Sequence, residues 1–280
     1  MMKTFCGIPL MLTALILLFV TDYSRAQNMP LANAFSHNDY QHKLPLFEAL
    51  NNGYTYIEAD VYVHKNRLVV THVLPLIHHH RTLEGLYLAP LAKYISANNG
   101  QIYPGYNQPV TLMIDIKSDP VKTYQLLKPL LEKYHAALNG QVSIVLSGNK
   151  PYGQVIADTT KLVTLDADLC KINRTAADDK LLAMASCKYS KLLKWKGTGA
   201  LSLKDRLNLT AYVRQAHLCG AKVRLWHSPD SPVVWHQLLQ CGVDLINTDK
   251  LSRLREFLTN GNSDNQLKPE VNNNNDLQQN

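Results

Sequence analysis

Short β-branched runs alternate with segments of helical periodicity through most of the chain. The β-branched runs predict strands, and the apolar positions spaced three and four apart predict helices between them. The predicted strands are Asn33–His37, Thr55–Val63, Leu68–His72, Thr111–Lys117, Gln141–Ser147, Lys161–Asp166, Lys191–Leu193, Lys222–His227 and Asp244–Thr248. The predicted helices are Leu44–Asn51, Leu86–Asn98, Val121–Leu138, Asp178–Ser186, Leu209–Cys219, Pro232–Cys241 and Leu251–Leu258.

This alternation of strands and helices indicates a parallel sheet with right-handed crossovers. The run Leu68–His72 is expected to continue the second strand after a turn at Lys65-Asn66. The remaining strand–helix units number about eight, which favours closure into a (β/α)8 TIM barrel. A doubly wound open sheet is the alternative fold.

The two ends of the chain have a different composition from the part between them. Lys3, the apolar run Ile8–Val20 and Ala26 form the pattern of a cleaved signal peptide over residues 1–26, with an uncleaved membrane anchor as the alternative. The Asn/Gln-rich tail at 259–280 has few apolar residues and is predicted to be disordered. We therefore assign residues 27–258 to one barrel domain of a secreted or periplasmic protein.

Two predicted strands have one apolar and one charged face. Side chains alternate along a strand, so Glu58 and Asp60 share the polar face of the second strand. Asp115 and Lys117 share the polar face of the strand at 111–117. An antiparallel sheet with its polar face in water would also give this pattern. The intervening helices argue against it, because helices cover the outer face of a barrel.

In a barrel these charged side chains point inward at the carboxyl ends of neighbouring strands, where barrel active sites are built. Glu58, Asp60 and Asp115 would repel one another in a partly dry site unless a cation neutralised them. Carboxylate oxygens suit a hard ion. The sequence therefore predicts one divalent cation, Mg²⁺ or Ca²⁺.

A histidine follows each of two predicted strands. His37 comes directly after an apolar run, and His72 ends the continuation of the second strand. A single histidine in such a place is more often structural. Two at equivalent strand ends beside a carboxylate cluster favour acid–base chemistry, since imidazole titrates near neutral pH.

The net charge of the chain says little about the class of molecule that it binds. The formal net charge of +7 is spread along the chain without a dense Lys/Arg cluster, so nucleic acid is not an expected partner. The charge would favour anionic substrates or peripheral contact with a membrane surface.

Beyond the leader, Cys170, Cys187, Cys219 and Cys241 match no zinc spacing and are either buried thiols or disulfides. His78-His79-His80 is predicted to be a solvated loop near the barrel mouth, with a metal site as the alternative.

The charged strands also carry a family resemblance. The chain resembles the PLC-like phosphodiesterase superfamily, which includes glycerophosphodiester phosphodiesterases and phosphatidylinositol-specific phospholipase C. It looks most similar to the altered-inheritance-of-mitochondria branch. The matching segments are His37-Asn38, 45–50, Gly53, 57–61, 68–72, 81–88, 113–117 and 242–249.

The resemblance implies a role for each matching residue. Glu58, Asp60 and Asp115 would be metal ligands, and His37 and His72 the acid–base pair. Substrate would be bound by Asn38, Lys117 and Trp226, with ordinary barrel packing as the alternative role for Trp226. Many glycerophosphodiesterases have Arg at the position of Asn38 and Asp at that of Val73, and this chain lacks their Pro-Glu-Asn-Thr segment, so substrate specificity is not implied.

The predicted function is metal-dependent hydrolysis of a phosphoric diester, with a phospholipid or a glycerophosphodiester-like molecule as substrate. Such an activity would belong to lipid metabolism. The alternative is an inactive barrel that binds phosphorylated lipid or glycan head groups. A cation-dependent carbohydrate-active enzyme fits less well, because it would need a spaced carboxylate pair without the histidines.

Overall fold

In a computed structural model of the chain, the described residues are 29–73, 81–138, 140–172 and 181–260. The predicted signal peptide, His78-His79-His80 and the tail from Gly261 onward lie outside these ranges. Within them, the helices are too short or too polar to traverse a lipid bilayer.

The described residues contain nine strands, eight of which close into a ring. Neighbouring strands of the ring are parallel throughout, in the order β1-β2-β4-β5-β6-β7-β8-β9 and back to β1. The ring confirms the (β/α)8 barrel and excludes the open sheet. The strands are β1 Leu31–Ser36, β2 Tyr54–His64, β3 Arg67–Val70, β4 Val110–Ile116, β5 Val142–Gly148, β6 Thr164–Asp168, β7 Leu182–Lys188, β8 Lys222–Trp226 and β9 Leu245–Thr248.

The strand outside the ring is β3, which pairs antiparallel with the last part of β2. Lys65 and Asn66 have φ values of 46° and 56° in the turn between them. Two successive positive φ values are typical of a type I′ hairpin turn, whose twist matches that of the flanking strands. The predicted continuation of the second strand is confirmed, and this hairpin carries the chain to His72.

Helices follow most strands and pack on the outside of the ring. The α-helices are Phe47–Asn51, Ala89–Ala97, Pro120–Leu138, Tyr152–Ala157, Tyr189–Leu192, Leu203–Leu218, Pro232–Gln240 and Leu251–Asn260, with a 3₁₀ turn at Asp39–Gln41 and a π-helical turn at Glu84–Leu88. The last helix continues two residues past the expected domain end at 258, so Thr259 and Asn260 belong to the barrel domain rather than to the tail.

Two sequence predictions were wrong in the second half of the barrel. The segment predicted as the helix Asp178–Ser186 is largely strand β7, Leu182–Lys188. Its Leu, Ala and Met residues favour helix, but pairing with β6 and β8 on both edges overrides that preference. The predicted strand Lys191–Leu193 begins instead within the short helix Tyr189–Leu192.

The apolar side chains form two separate cores. The larger one lies between the ring and the helices and includes the outward residues of β2, such as Ile57, Ala59 and Val61. The smaller one lies inside the barrel and consists of Phe35, Tyr56, Met113, Val145, Met184 and Leu245. Because side chains alternate along a strand, the inward residues beyond Tyr56 on β2 are Glu58 and Asp60. The inner core therefore forms an apolar floor beneath a polar site.

Candidate functional site

A cavity of about 340 Å³ opens at the carboxyl ends of the strands. Its lining contains every residue that the sequence singled out for chemistry. They are His37, Asn38, Glu58, Asp60, His72, Asp115, Lys117 and Trp226. They come from five different strands and the loops that follow them, so the closure of the barrel is what brings them together.

Glu58, Asp60 and Asp115 form a compact carboxylate cluster in this cavity. Each offers an oxygen within 4.8 Å of the other two. Asp60 and Asp115 are directly opposite each other in the register of β2 and β4, which fixes their separation. The side chains of Glu58 and Asp60 are almost fully buried. Three carboxylates at this spacing, two of them buried, form an oxygen-rich site of the kind that suits a divalent cation.

Two unfulfilled oxygens support a cation at this cluster. Asp60 Oδ1 and Asp115 Oδ1 are buried and accept no hydrogen bond from the residues that the structure describes. An orphaned buried acceptor costs about 1–3 kcal/mol, which metal coordination would relieve. Gly148, at φ 68°, has its open side against Asp115 Oδ1, and a Cβ there would overlap the carboxylate. The donor set and the space therefore fit a hard cation.

The charges of the cluster are only partly balanced by the chain itself. Lys117 donates to Asp115 Oδ2 at 2.7 Å and lies 3.4 Å from Asp60 Oδ2, while Arg224 donates to Glu58 Oε2 at 3.2 Å. Burial raises the pKa of Glu58 and of Asp60, although these cations oppose the rise. Burial favours the neutral form of Lys117, but Asp115 and Asp60 outweigh it and raise the pKa of this lysine.

His37 is held at one side of the cluster. Its Nδ1 lies 2.8 Å from Asp249 Oδ1, and its Nε2 lies 4.0 Å from Glu58 Oε2. Burial opposes protonation of the ring, yet the hydrogen bond to Asp249 and the charge of Glu58 prevail and raise its pKa. A histidine oriented by a carboxylate in this way is well suited to exchange a proton at its other nitrogen.

His72 lies at another side of the cluster and is more open to solvent. Its Nδ1 is 3.0 Å from Asp60 Oδ2, and its side chain is 55% exposed. Tyr40 joins the two sides, because its hydroxyl lies 2.9 Å from Asp60 Oδ2 and 2.8 Å from Asn38 Oδ1 and donates its one proton to one of these two oxygens. Asp60 thus orients the imidazole of His72, which remains accessible from the cavity mouth.

The loop after β1 has the backbone geometry that places Asn38. Asn38 adopts a left-handed conformation with φ 46°, which asparagine tolerates better than most residues. Its amide nitrogen lies 3.1 Å from His37 Nδ1. The next residue, Asp39, is buried and accepts bonds from Leu46 N and Tyr87. This buried aspartate fixes the loop and so the direction of Asn38.

Sequence reasoning missed Arg224 and Asp166. Arg224 is 4% exposed, donates to Glu58, Ser186 and Asn247, and places its guanidinium 4.3 Å from the centre of the Phe35 ring. The signal for Arg224 was present, because β8 alternates charged and apolar residues just as β2 does. Asp166 is also buried on the cavity wall.

Trp226 follows two residues after Arg224 on the same face of β8. Its ring lies 5.6 Å from Lys188 Nζ and lines the cavity. Lys150 and Lys191 line the same cavity. The site thus combines a carboxylate cluster with several cations, and this pairing suits a ligand that is anionic yet is also held through a metal.

A closed parallel barrel with carboxylates and two histidines at its carboxyl mouth defines the class of phosphodiesterase-like barrels. The family model described as an AIM6-like phosphodiesterase domain matches residues 23–165. The chain belongs to this family.

Curated relatives agree with this assignment. Altered inheritance of mitochondria protein 6 from Eremothecium gossypii is 30% identical over 81% of this chain and 69% of its own length. The protein of the same name from Lachancea thermotolerans is 30% identical over 78% of this chain and 64% of its own length. This chain thus spans about two thirds of these relatives.

A solved structure agrees with the fold. The glycerophosphodiester phosphodiesterase from Parabacteroides distasonis superposes with a TM-score of 0.55 over 84% of this chain and 99% of its own, at 14% identity. The likeness at this identity concerns the barrel architecture, and the chemistry of the present chain has to be argued from its own residues.

Proposed function

We propose that the chain hydrolyses a phosphoric diester with the help of one divalent cation. The observation that carries this proposal is the convergence of Glu58, Asp60 and Asp115 within 4.8 Å, with His37 and His72 on two sides of the same cavity. Phosphodiester cleavage needs charge neutralisation at the phosphoryl oxygens and a proton donor and acceptor.

Glu58, Asp60 and Asp115 would hold the cation, which supplies Lewis-acid stabilisation of the charge on a phosphoryl oxygen. Lys117 contributes a donor at the same end of the cavity. One histidine accepts a proton from the attacking water or substrate hydroxyl, and the other donates a proton to the leaving oxygen. Such positioned groups typically contribute about 10²–10⁴-fold each.

The cavity lining supports an anionic substrate with an organic group beyond the phosphate. Lys150, Lys188 and Lys191 line the cavity together with Trp226. A lipid head group or a glycerophosphodiester would place its phosphate at the carboxylate cluster and its alcohol against this wall. The open position of His72 is compatible with a substrate presented at a membrane surface, bound peripherally.

The experiment is a turnover assay with the purified chain on bis-p-nitrophenyl phosphate and on lysophospholipids. Turnover is expected with Mg²⁺ or Ca²⁺, loss is expected with EDTA, and recovery is expected when the cation is returned. Phosphorus NMR of the product separates hydrolysis from transfer to a neighbouring hydroxyl, since a cyclic phosphate has its own signal. Phosphate-ester binding without turnover would overturn the proposal in favour of a non-catalytic head-group binder.

Export is proposed on the N-terminal pattern alone. If residues 1–26 are removed by a signal peptidase, the exported protein begins at Gln27. N-terminal sequencing of the native protein tests this directly, and Met1 in a membrane fraction would contradict it.

A further inference from the structure

Cys170 and Cys187 lie together beside the cavity mouth and have no part in the proposed reaction. Cys187 ends the run of buried residues of β7, packs in the outer apolar core and borders the cavity. Cys170 is half-buried in the loop after β6. Burial raises the pKa of the Cys187 thiol, and the charge of Cys170 and a hydrogen bond with it contribute to the rise.

The backbone around the two cysteines explains this proximity. Asp168 on β6 is the register partner of Ser186 on β7, and Leu169 N donates to Ser186 O at 3.1 Å. The two segments therefore run side by side past the end of the paired strands. Continued past Asp168, this register puts Leu169 opposite Cys187 and Cys170 one residue further along, on an adjacent segment. Neighbouring strands are about 4.8 Å apart, and disulfides span Cα separations of about 4.4–6.8 Å.

Local contacts also hold the loop in place on the Cys170 side. Cys170 N donates to Asp168 Oδ1 at 3.0 Å, and Lys171 and Lys191 lie 3.8 and 3.9 Å from Asp168 Oδ2. The loop is thus fixed to β7 by backbone and charge contacts before any covalent bond forms.

We propose that Cys170 and Cys187 form a reversible disulfide at the wall of the cavity. Cys170 is the more accessible thiol, whereas Cys187 is 2% exposed. Burial raises the pKa of the Cys187 thiol, so it is the poorer nucleophile toward an external oxidant. Cys170 therefore reacts first and Cys187 second.

The exchange balances with a low-molecular-weight disulfide such as glutathione disulfide as oxidant. The Cys170 thiolate attacks one sulfur of that disulfide, forming a mixed disulfide and releasing one glutathione thiolate. The Cys187 thiol then loses its proton and attacks the Cys170 sulfur, which releases the second glutathione. The two cysteines lose two electrons and two protons, and the oxidant becomes two thiols.

The bond would close a loop of about 16 residues between the two cysteines. Cross-links of this size restrict the unfolded chain and raise stability, and in a domain of this length the melting temperature is expected to rise by about 5 °C or more. The prediction is independent of the proposed activity, because stability and thiol content are measured without any substrate.

The test uses the full chain, first reduced and then equilibrated with glutathione disulfide. Thiol titration in denaturant is expected to fall by two, and non-reducing peptide mapping is expected to join the peptides of Cys170 and Cys187. C170S and C187S should abolish both the link and the rise in melting temperature. C219S and C241S are the matched controls and should retain both.

Three results would overturn the proposal. One is a full complement of titratable thiols after oxidation. Another is a link between a different pair of cysteines. The third is a glutathione adduct that persists on Cys170 in the parent chain, since that would mean Cys187 cannot reach it.

Discussion

Asp60 and Asp158 are both buried aspartates, yet their surroundings shift their pKa values in opposite directions. Asp158, on the outside of the barrel, receives Tyr124 on Oδ2 and both Lys128 and Thr160 on Oδ1. The hydrogen bond from Tyr124 and the other donors hold the pKa of Asp158 well below its usual range. Asp60 has Oδ1 without a donor among the described residues, and burial raises its pKa.

This difference separates a carboxylate that serves the fold from one that is available to a ligand. At Asp158 the chain supplies every bond that the anion needs, so the charge stabilises the folded state. At Asp60 the chain supplies donors to one oxygen and leaves the other oxygen bare beside two further carboxylates. The cluster is therefore expected to lower stability without a cation and to give a site for one.

The largest expected effect is on turnover. We expect H37A and H72A each to lose at least about 100-fold in kcat/KM, because each removes a proton-transfer group. The double variant should be far less than multiplicatively worse, since both act on one reaction coordinate. Stability should change by about 1 kcal/mol or less.

H217A is the matched control for these two variants. His217 Nε2 lies 2.8 Å from Asp244 Oδ2, the same separation as His37 from Asp249, but outside the cavity. It should retain parental turnover. Near-parental turnover in both H37A and H72A would contradict acid–base catalysis by the histidines, and loss in only one would indicate a single-histidine mechanism.

The next effect is on metal affinity. D60N should weaken Mg²⁺ or Ca²⁺ binding by at least about 10-fold and reduce activity with it, because a charged ligand becomes neutral. The metal-free variant should be no less stable than the parent, since repulsion within the cluster is relieved. Isothermal titration calorimetry and thermal melting measure the two quantities. The control is D168N, which changes a carboxylate on the same cavity wall but outside the cluster and should bind metal as the parent does. If D60N bound metal as tightly as the parent, Asp60 would not be a metal ligand.

A smaller effect is expected at the structural aspartate. D158N should destabilise the fold by about 1–3 kcal/mol, because the amide nitrogen cannot accept the bonds that one carboxylate oxygen now accepts. Turnover and metal affinity should match the parent. Urea unfolding measures the loss, and a variant as stable as the parent would show that the network around Asp158 contributes little.

The smallest effect is a difference in pH dependence between these two variants in metal-free protein. The lowered pKa of Asp158 gives stability that is present above its ordinary value of 3.8 and lost as the pH falls toward its folded-state pKa. The raised pKa of Asp60 gives the opposite sign, with stability present in acid and lost as the pH rises through its folded-state pKa.

Unfolding curves at pH 3 to 7 would show the difference. Relative to the parent, D158N should be less stable and D60N more stable near neutrality, and both differences should shrink on acidification. Parallel pH profiles for the two variants would mean that the two aspartates do not differ in the way proposed.

The alternation of polar and apolar residues was enough to predict most of the ring and half of the site. On β2 and β4 the outer face is covered by helices, so it is almost entirely apolar and leaves Glu58, Asp60 and Asp115 conspicuous on the other face. On β7 both faces are largely apolar and the residues favour helix, so the local pattern is misleading. Only pairing with two neighbouring strands decides its conformation.

The hydrogen-bond partners of site residues that are distant in sequence could not be predicted from local sequence patterns. Asp249 reaches His37 across 212 residues, and Arg224 reaches Glu58 across 166 residues. No spacing along the chain encodes such contacts, because they exist only once β1 and β9 have closed the ring. Tyr40 was missed for another reason, since a tyrosine in a polar segment gives no sign of which polar side chains its hydroxyl contacts.

The hairpin that carries His72 has a consequence for how this architecture can change over time. The ring closes through direct pairing of β1 with β2, so β3 is an additional hairpin strand outside the eight-stranded barrel. His37 follows a strand of the barrel itself, whereas His72 follows the hairpin strand β3 outside the barrel. A change in the length of this hairpin beyond its buried residues Leu68 and Val70 would move His72 relative to Asp60 without altering the pairing that closes the ring.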